Sequence, residues 1–548
     1  MRPRLSIAFV ALVALLTAAC AGAPAAPAAA PVPVRVTEAP PPVPPAPAVP
    51  RPALPAFPRV TGTLVPDMVY PPEGYVLSVR ESTFVFGNVG NGDATLTING
   101  APVTVNPNGS FMAFLPVPAD TAYTLRATLP SGDTATAVRK VRFPVRGGAA
   151  PPRPAAGLDT TGFPRAVTLT NTNEYAMSDT DMVTYARPVA GGTYKYFLLP
   201  GTVVQATARL GGSVRVRLDS QLDAWVESPG ISPAVSSAGE SDVEARLAAA
   251  ESALRPRRIS AARITLGEGY TDVVLTMESK APIAVDQAAD RLSLTAYGAR
   301  ANLDYVRFDS NDPTVRLVRW EQVNNERVRF DVDLRHQSVG YLVFWRAGSL
   351  VLRVRHAPVV DASAPLRGRV IAVDAGHPPG GAMGPTRLRE PEATLPIAEE
   401  LKALLEARGA RVIMLRSTAN AVALGARPIQ ARRENAEAFV SIHLNAFADG
   451  ANPFAAARGS GTFFFHPQSE PLARAVQQGM VRNMGLRDEG IFFFNLAVAR
   501  PTWFPSVLCE GAWIVMPEQE AALRTPVFQR AYAMGIVEGL EAYFRDLR

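Results

Sequence analysis

The stretch that most constrains this chain is Arg369-Val370-Ile371-Ala372-Val373-Asp374-Ala375-Gly376-His377. Four consecutive apolar side chains point alternately to the two faces of a strand, so a strand here must be covered on both sides. A hairpin with one wet face does not meet that need; a sheet flanked by helices does. Gly376 and the Pro378-Pro379-Gly380-Gly381 cluster break the run and leave His377 at the strand's carboxyl end. Open α/β sheets bind their ligands at that end. One histidine is no site, so its partners must come from elsewhere in the chain.

From Leu366 onward, strand and helix patterns alternate. A loop after His377 reaches Glu390 at a helix start, and Ile397, Leu401, Leu404 and Leu405 form the apolar face of a helix that ends at Gly409. Arg411 to Leu415 reads as a strand, and 424–436 as a second helix. The apolar strand Phe439-Val440-Ser441-Ile442 then delivers a second histidine, His443. Two histidines and one carboxylate are a common ligand set for catalytic zinc, with a fourth position left to water. Bound Zn2+ would lower the pKa of that water and polarise a carbonyl. The strand Ser506-Val507-Leu508-Cys509 ends in Glu510, an acidic residue closing an apolar run and a candidate proton carrier.

With these motifs in order, residues 366–548 resemble the zinc-dependent N-acetylmuramoyl-L-alanine amidases. The matching blocks are Asp374-Ala375-Gly376-His377, the helix-start Glu390, Ser441-Ile442-His443-Leu444-Asn445-Ala446 and Val507-Leu508-Cys509-Glu510-Gly511. The resemblance implies that His377, Glu390 and His443 hold zinc and that Glu510 is catalytic, with Arg416, Arg427 and Asn435 in support. It also implies a twisted, mostly parallel sheet flanked by helices, and peptidoglycan as substrate, cut between the muramic lactyl group and L-alanine. Glu392, two positions beyond Glu390, is the rival ligand. Ala375, the loop 378–383 and Ala512-Trp513 depart from the family's usual form without removing a ligand. Between Asn445 and Gly461 the chain has no amphipathic pattern of the kind that forms a blocking helix in partner-activated members. An uninhibited enzyme is expected, with a regulatory protein partner left unassigned.

At 548 residues the chain exceeds a single core, and the fold expected is multidomain: three small all-β domains ahead of the C-terminal α/β domain. Arg2 and Arg4 precede an apolar run from Leu5 to Leu16, the layout of a secretory signal. Thr17-Ala18-Ala19-Cys20 resembles a lipobox, so residues 1–20 are expected to be a lipoprotein signal and Cys20 a lipid anchor to a membrane. Residues 21–65, rich in alanine and proline, read as a linker. The span 66–147, with Asn99-Gly100 and Asn108-Gly109 as hairpin turns, resembles an immunoglobulin-like sandwich. The span 163–235 is similar to a small SH3-like barrel, and 259–358 to the AMIN domain of bacterial envelope amidases. His336 and His356 fall in this last module as isolated histidines, without the cluster a metal site requires, and are expected to be structural or surface residues. His466 is a cleft candidate outside the ligand set. The net charge of +6 is spread along the chain, unlike the clustered basic stripe of a nucleic-acid binder, so no nucleic-acid partner is expected.

These readings predict an extracytoplasmic, periplasmic and membrane-anchored amidase used in wall remodelling or daughter-cell separation. The same residues also fit a catalytically inactive wall-binding scaffold, or a zinc peptidase that cuts the stem peptide.

Overall fold

The computed structural model describes residues 52–144, 157–171, 184–234, 243–307 and 311–547. The signal segment, Cys20 and most of the Ala/Pro-rich stretch lie outside the described residues. Among the described residues no helix is long and apolar enough to cross a membrane.

The C-terminal domain is built on one six-stranded sheet. In chain order its elements are β1 (Val370–Ala375), α1 (Glu390–Glu406), β2 (Arg411–Met414), α2 (Ala426–Arg433), β3 (Ala438–Asn445), β4 (Gly459–Phe464), α3 (Glu470–Met484), β5 (Arg487–Phe493), β6 (Ser506–Trp513), α4 (Pro517–Leu523) and α5 (Pro526–Asp546). The strand order is β2-β1-β3-β6-β4-β5. Every neighbouring pair is parallel except β4 with β6. Both faces are covered, as the apolar run of β1 requires. On one face Ile371, Val373 and Val440 pack with Ile397 and Leu401 of α1, Val476 of α3 and Ile536 of α5. On the other, Ala372, Phe439 and Leu508 pack with Ala431 of α2, Phe504 and Leu342. Helices α3 and α5 approach closely through glycines: a Cβ on Gly479 would lie 2.0 Å from the Gly535 carbonyl oxygen.

Two strands run further than the sequence suggests. β3 continues through His443 to Asn445, and β6 continues through Glu510 to Trp513. His443 and Glu510 are therefore not at strand ends; they face each other in register within a parallel ladder whose register shifts just beyond them. The extension follows from burial. Leu444, Ala512 and Trp513 all join the core and carry the strands past the polar residues.

Three β-rich regions precede this domain. In the first, a three-stranded sheet (Asp67–Tyr70, Ser82–Asn88, Ser110–Pro116) and a five-stranded sheet share a core that includes Leu77, Val85, Leu96, Phe111 and Leu125. Asn99 and Gly100, both at positive φ, turn the Thr95–Ile98 and Ala101–Val103 hairpin as an Asn-Gly pair does. The second region is one seven-stranded antiparallel sheet. In the third, a five-stranded and a four-stranded sheet enclose a core containing Leu275, Leu294, Phe330 and Leu352. There His336 and His356 are each joined to buried Asp312 through a threonine. His356 meets the Thr271 hydroxyl at 2.9 Å, which donates to buried Asp312, and His336 meets Thr314, whose N–H also goes to Asp312. Asp312 is distant from both in sequence and only the fold brings it close.

The first and third regions dock on opposite ends of the C-terminal sheet. The third holds the amino ends of β3 and β6: Tyr341 N–H donates to the Thr502 carbonyl at 2.7 Å, and Arg355 donates to the carbonyls of Asn435 and Ala436. The first docks at the carboxyl ends of β1 and β3, where the histidines are. Asp449, after β3, accepts from the Ser78 N–H at 2.9 Å, and Arg387, before α1, donates to Asp67 at 2.8 Å.

Candidate metal centre and active site

The site is assembled around Asp374 at the end of β1. This carboxylate is fully buried, where it accepts from Arg427 and from the Ser441 hydroxyl of β3, each at 2.7 Å. A buried charge needs such partners. Arg427 also reaches the Ala375 and Pro378 carbonyls. Arg416, likewise buried, donates to the carbonyls of Ala375, Gly376 and Pro391 and to Thr394. Together the two guanidiniums pin the chain on either side of His377. Asn435, expected to support the site, instead sits at the far end of the sheet, where its side chain accepts from Arg355 at 3.1 Å.

Gly376 is where side-chain crowding forces a glycine. A Cβ there would lie 2.6 Å from both Nε2 of His443 and the Ile442 carbonyl oxygen. His377 follows with φ of 57°, a left-handed conformation uncommon for a residue with a side chain and often found at functional sites. Its Nδ1 lies 2.9 Å from the Pro379 carbonyl oxygen, which can only accept, so Nδ1 carries the proton and Nε2 is free as a ligand atom.

Glu390 is the first residue of α1 and points inward. Its carboxylate accepts from the Ala382 and Leu444 N–H groups, both at 2.9 Å, and sits at a helix amino terminus that favours negative charge. One oxygen lies 3.1 Å from Nδ1 of His443 and the other 3.3 Å from Nε2 of His377. Burial works against ionisation of Glu390, but the bond and charge of His443 and the charge of His377 outweigh it and hold the carboxyl below its usual range. Burial likewise opposes a charge on His443, yet Glu390, Glu510 and Asp374 together raise its affinity for a proton. The surroundings select positive charge at this point.

The donor set fits a zinc ion. Ligand atoms of His377, Glu390 and His443 lie within 4.8 Å of one another, two imidazole nitrogens and one carboxylate oxygen. The two rings meet edge to face, 4.9 Å between centroids. Glu510, opposite His443 in the ladder, has one buried oxygen with no hydrogen-bond partner among the described residues. Buried polar atoms are rarely left so, and this one lies beside the ligand set, where a bound water or substrate could donate to it. Burial pushes the Glu510 carboxyl up to about 8, against the pull of His443 and with a further push from Glu390. Such a group can take and return a proton near neutral pH.

The other candidates separate cleanly. Glu392 accepts from its own helix's Arg389 N–H at 3.1 Å, completing a capping box instead of reaching the site. His466 is buried just beyond β4, away from the ligands, with Nε2 2.8 Å from the Arg500 carbonyl oxygen. Cys509 is buried in the core. The stretch from Asn445 to Gly459 contains no helix.

Two contributing residues escaped the sequence reading. The hydroxyl of Tyr532 in α5 accepts from the Gly511 N–H at 2.9 Å and lies 2.8 and 3.2 Å from the carbonyl oxygens of Cys509 and His443, tying β6 to β3 beside the site. Glu520 of α4 is fully buried and accepts from the N–H groups of Thr386 and Leu388, fixing the loop that leads to Glu390. An acidic residue directly before Ala521-Ala522-Leu523 was the available signal for Glu520; nothing in the sequence singles out Tyr532.

Comparison with known proteins identifies the family of this domain. Residues 371–542 match the family described as N-acetylmuramoyl-L-alanine amidase. A Staphylococcus epidermidis relative named "Probable cell wall amidase LytH" is 34% identical over 189 residues, 33% of this chain, and the chain spans only 61% of that relative's length. YqiI of Bacillus subtilis, named as uncharacterized, is 30% identical over 209 residues, 37% of this chain and 98% of that protein. Among solved structures, an N-acetylmuramoyl-L-alanine amidase from Clostridium difficile 630 is 29% identical over 33% of this chain and 98% of its own, with a TM-score of 0.31. Through the domain that carries His377, Glu390, His443 and Glu510, the chain belongs to the N-acetylmuramoyl-L-alanine amidase family.

Proposed function

We propose that this protein hydrolyses the amide between the muramic lactyl group and L-alanine of peptidoglycan, with a zinc ion held by His377, Glu390 and His443. The observation that carries the reading is the convergence of those three ligand atoms, with Glu510 facing His443 from the adjacent strand. Zinc bound there supplies Lewis acidity toward a carbonyl and lowers the pKa of water. The protein's own groups do the rest. Glu390, fixed by two backbone N–H groups, and His377, fixed by the Pro379 carbonyl, hold the ligand atoms in place. Glu510 takes the proton of the attacking water and delivers it to the departing alanine nitrogen, so that the amine leaves neutral.

The amino-terminal signal and Cys20 support action outside the cytoplasm from a membrane anchor, and the β-rich regions support contact with the wall. Incubating the full chain and zinc with purified peptidoglycan, then identifying released fragments by mass spectrometry, tests the reading. Peptides beginning with free L-alanine are expected. Cuts inside the stem would assign a peptidase instead, and intact wall after digestion would assign a binding scaffold.

A further inference from the structure

Beside the metal ligands the first β-rich region and the C-terminal domain form a shared groove of about 410 Å³. Aromatic rings dominate it. Tyr70 stacks on Phe84 at 4.5 Å and meets the edge of Tyr75 at 5.6 Å, while Phe84 meets Phe447 edge-on at 5.4 Å. The first three rings come from the β-rich region, and Phe447 comes from the segment just after His443. The groove adjoins the metal centre through Ala382, whose N–H is bonded to Glu390, and Ala446, three residues past His443.

The walls are fixed at both rims. At one, Asp449 accepts from the hydroxyls of Tyr70 and Tyr75 and from both the N–H and the hydroxyl of Ser78, and Gly450 N–H donates to Thr83. At the other, Arg387 pairs with Asp67. The groove is thus a rigid feature of the folded chain, made by two segments more than three hundred residues apart.

We infer that this groove is a subsite for the glycan strand of peptidoglycan, with Tyr70 and Tyr75 offering ring faces to the sugars and Phe447, itself stacked on Trp513 at 4.4 Å, completing the wall. The inference rests on the amidase reading and extends it to a module outside the family domain. A substrate cut at the lactyl amide leaves its glycan on one side of the metal and its stem peptide on the other. The stem carries carboxylates and wants free cations. Here the two arginines of the groove are already neutralised: Arg139 lies 3.1 Å from Asp67 and 3.5 Å from Glu73, and Arg387 shares the same Asp67. What remains is an apolar, aromatic lining, which suits the C–H faces of pyranose rings better than an anionic peptide.

The test is calorimetric binding of a peptide-free tetrasaccharide of alternating N-acetylglucosamine and N-acetylmuramic acid to the full chain. Tyr75→Ala is expected to weaken binding roughly tenfold, whereas Tyr75→Phe, which keeps the ring and loses the bond to Asp449, stays within about twofold of the parent. In turnover, the Tyr75→Ala loss in kcat/KM should grow from a substrate with one muramic acid to a tetrasaccharide substrate. Equal loss with Phe and Ala, or a loss independent of sugar number, would reduce Tyr75 to a structural tie and overturn the inference. So would absence of glycan binding by the parent chain, including the case in which a peptide of the proline-rich residues 31–51 binds the groove instead. Glycan binding without any amide hydrolysis would sink the amidase reading and leave the subsite standing; hydrolysis without glycan binding would do the reverse.

Discussion

Glu390 and Glu510 lie near the same histidine, and their surroundings drive them apart. Glu390 accepts two backbone N–H bonds at a helix amino terminus and stays ionised; Glu510 keeps a buried oxygen without a partner among the described residues and holds its proton far more readily. Two carboxylates with opposed environments suit a ligand and a proton carrier respectively. The rival Glu392 is distinguished by its place in the helix. Arg389 is the N-cap and Pro391 occupies the first turn, which makes Glu392 the capping-box residue and turns Glu390 inward. Glu390→Gln should therefore abolish zinc retention after dialysis, measured by elemental analysis. Glu392→Gln should retain one equivalent and cost about 1 kcal/mol or less in stability. At His466, burial pulls the imidazole down to about 4 against the pull of the Arg500 carbonyl. The unfolded chain then binds the proton more tightly, near pH 6.5, so this contribution to stability is complete above that pH and is lost as pH falls toward 4. It amounts to roughly 3 kcal/mol at most. Denaturant titrations across that range should show a shallower acid loss in His466→Gln than in the parent.

At the scale of elements, the loop between β1 and α1 is the part of the site with least regular structure and most cross-bracing. Arg416 and Arg427 hold its start, and Glu520 of α4 holds its end through the N–H groups of Thr386 and Leu388. Replacing Glu520 by Ala leaves the buried Leu388 N–H and the half-buried Thr386 N–H without their acceptor. We expect a loss of about 2 to 4 kcal/mol in stability, and zinc affinity lower by about ten- to a hundredfold. A chelator competition run on the folded variant checks the second effect separately from the first. The strands that deliver the histidines were legible in the sequence because both their faces are apolar. Their lengths were not. His443 and Glu510 read as terminators, yet each is followed by residues that return to the core, and the two strands stay paired beyond them. Asn435 was misplaced for a related reason: its position relative to α2 was readable, but its partner Arg355 lies eighty residues earlier, on another module.

Across the whole molecule, the C-terminal sheet is gripped at both ends. The third β-rich region holds the end away from the metal site, and the first closes over the end that carries it. Sequence pattern finds such modules one at a time through their strand rhythm, but docking surfaces are assembled from scattered residues with no local signature. Arg355 shows the consequence. Its buried guanidinium serves carbonyls of Asn435 and Ala436, and Arg355→Ala should cost about 2 to 4 kcal/mol and split thermal unfolding into two transitions visible by calorimetry. The central claim concerns the site between those two ends: zinc held by His377, Glu390 and His443, with Glu510 moving the proton. The most direct test compares bound zinc and amide hydrolysis in the full-length parent and in Glu510→Gln. The account predicts one equivalent of zinc in both, with kcat lower by about 10² to 10⁴ in the variant. Undiminished hydrolysis by zinc-loaded Glu510→Gln would contradict it.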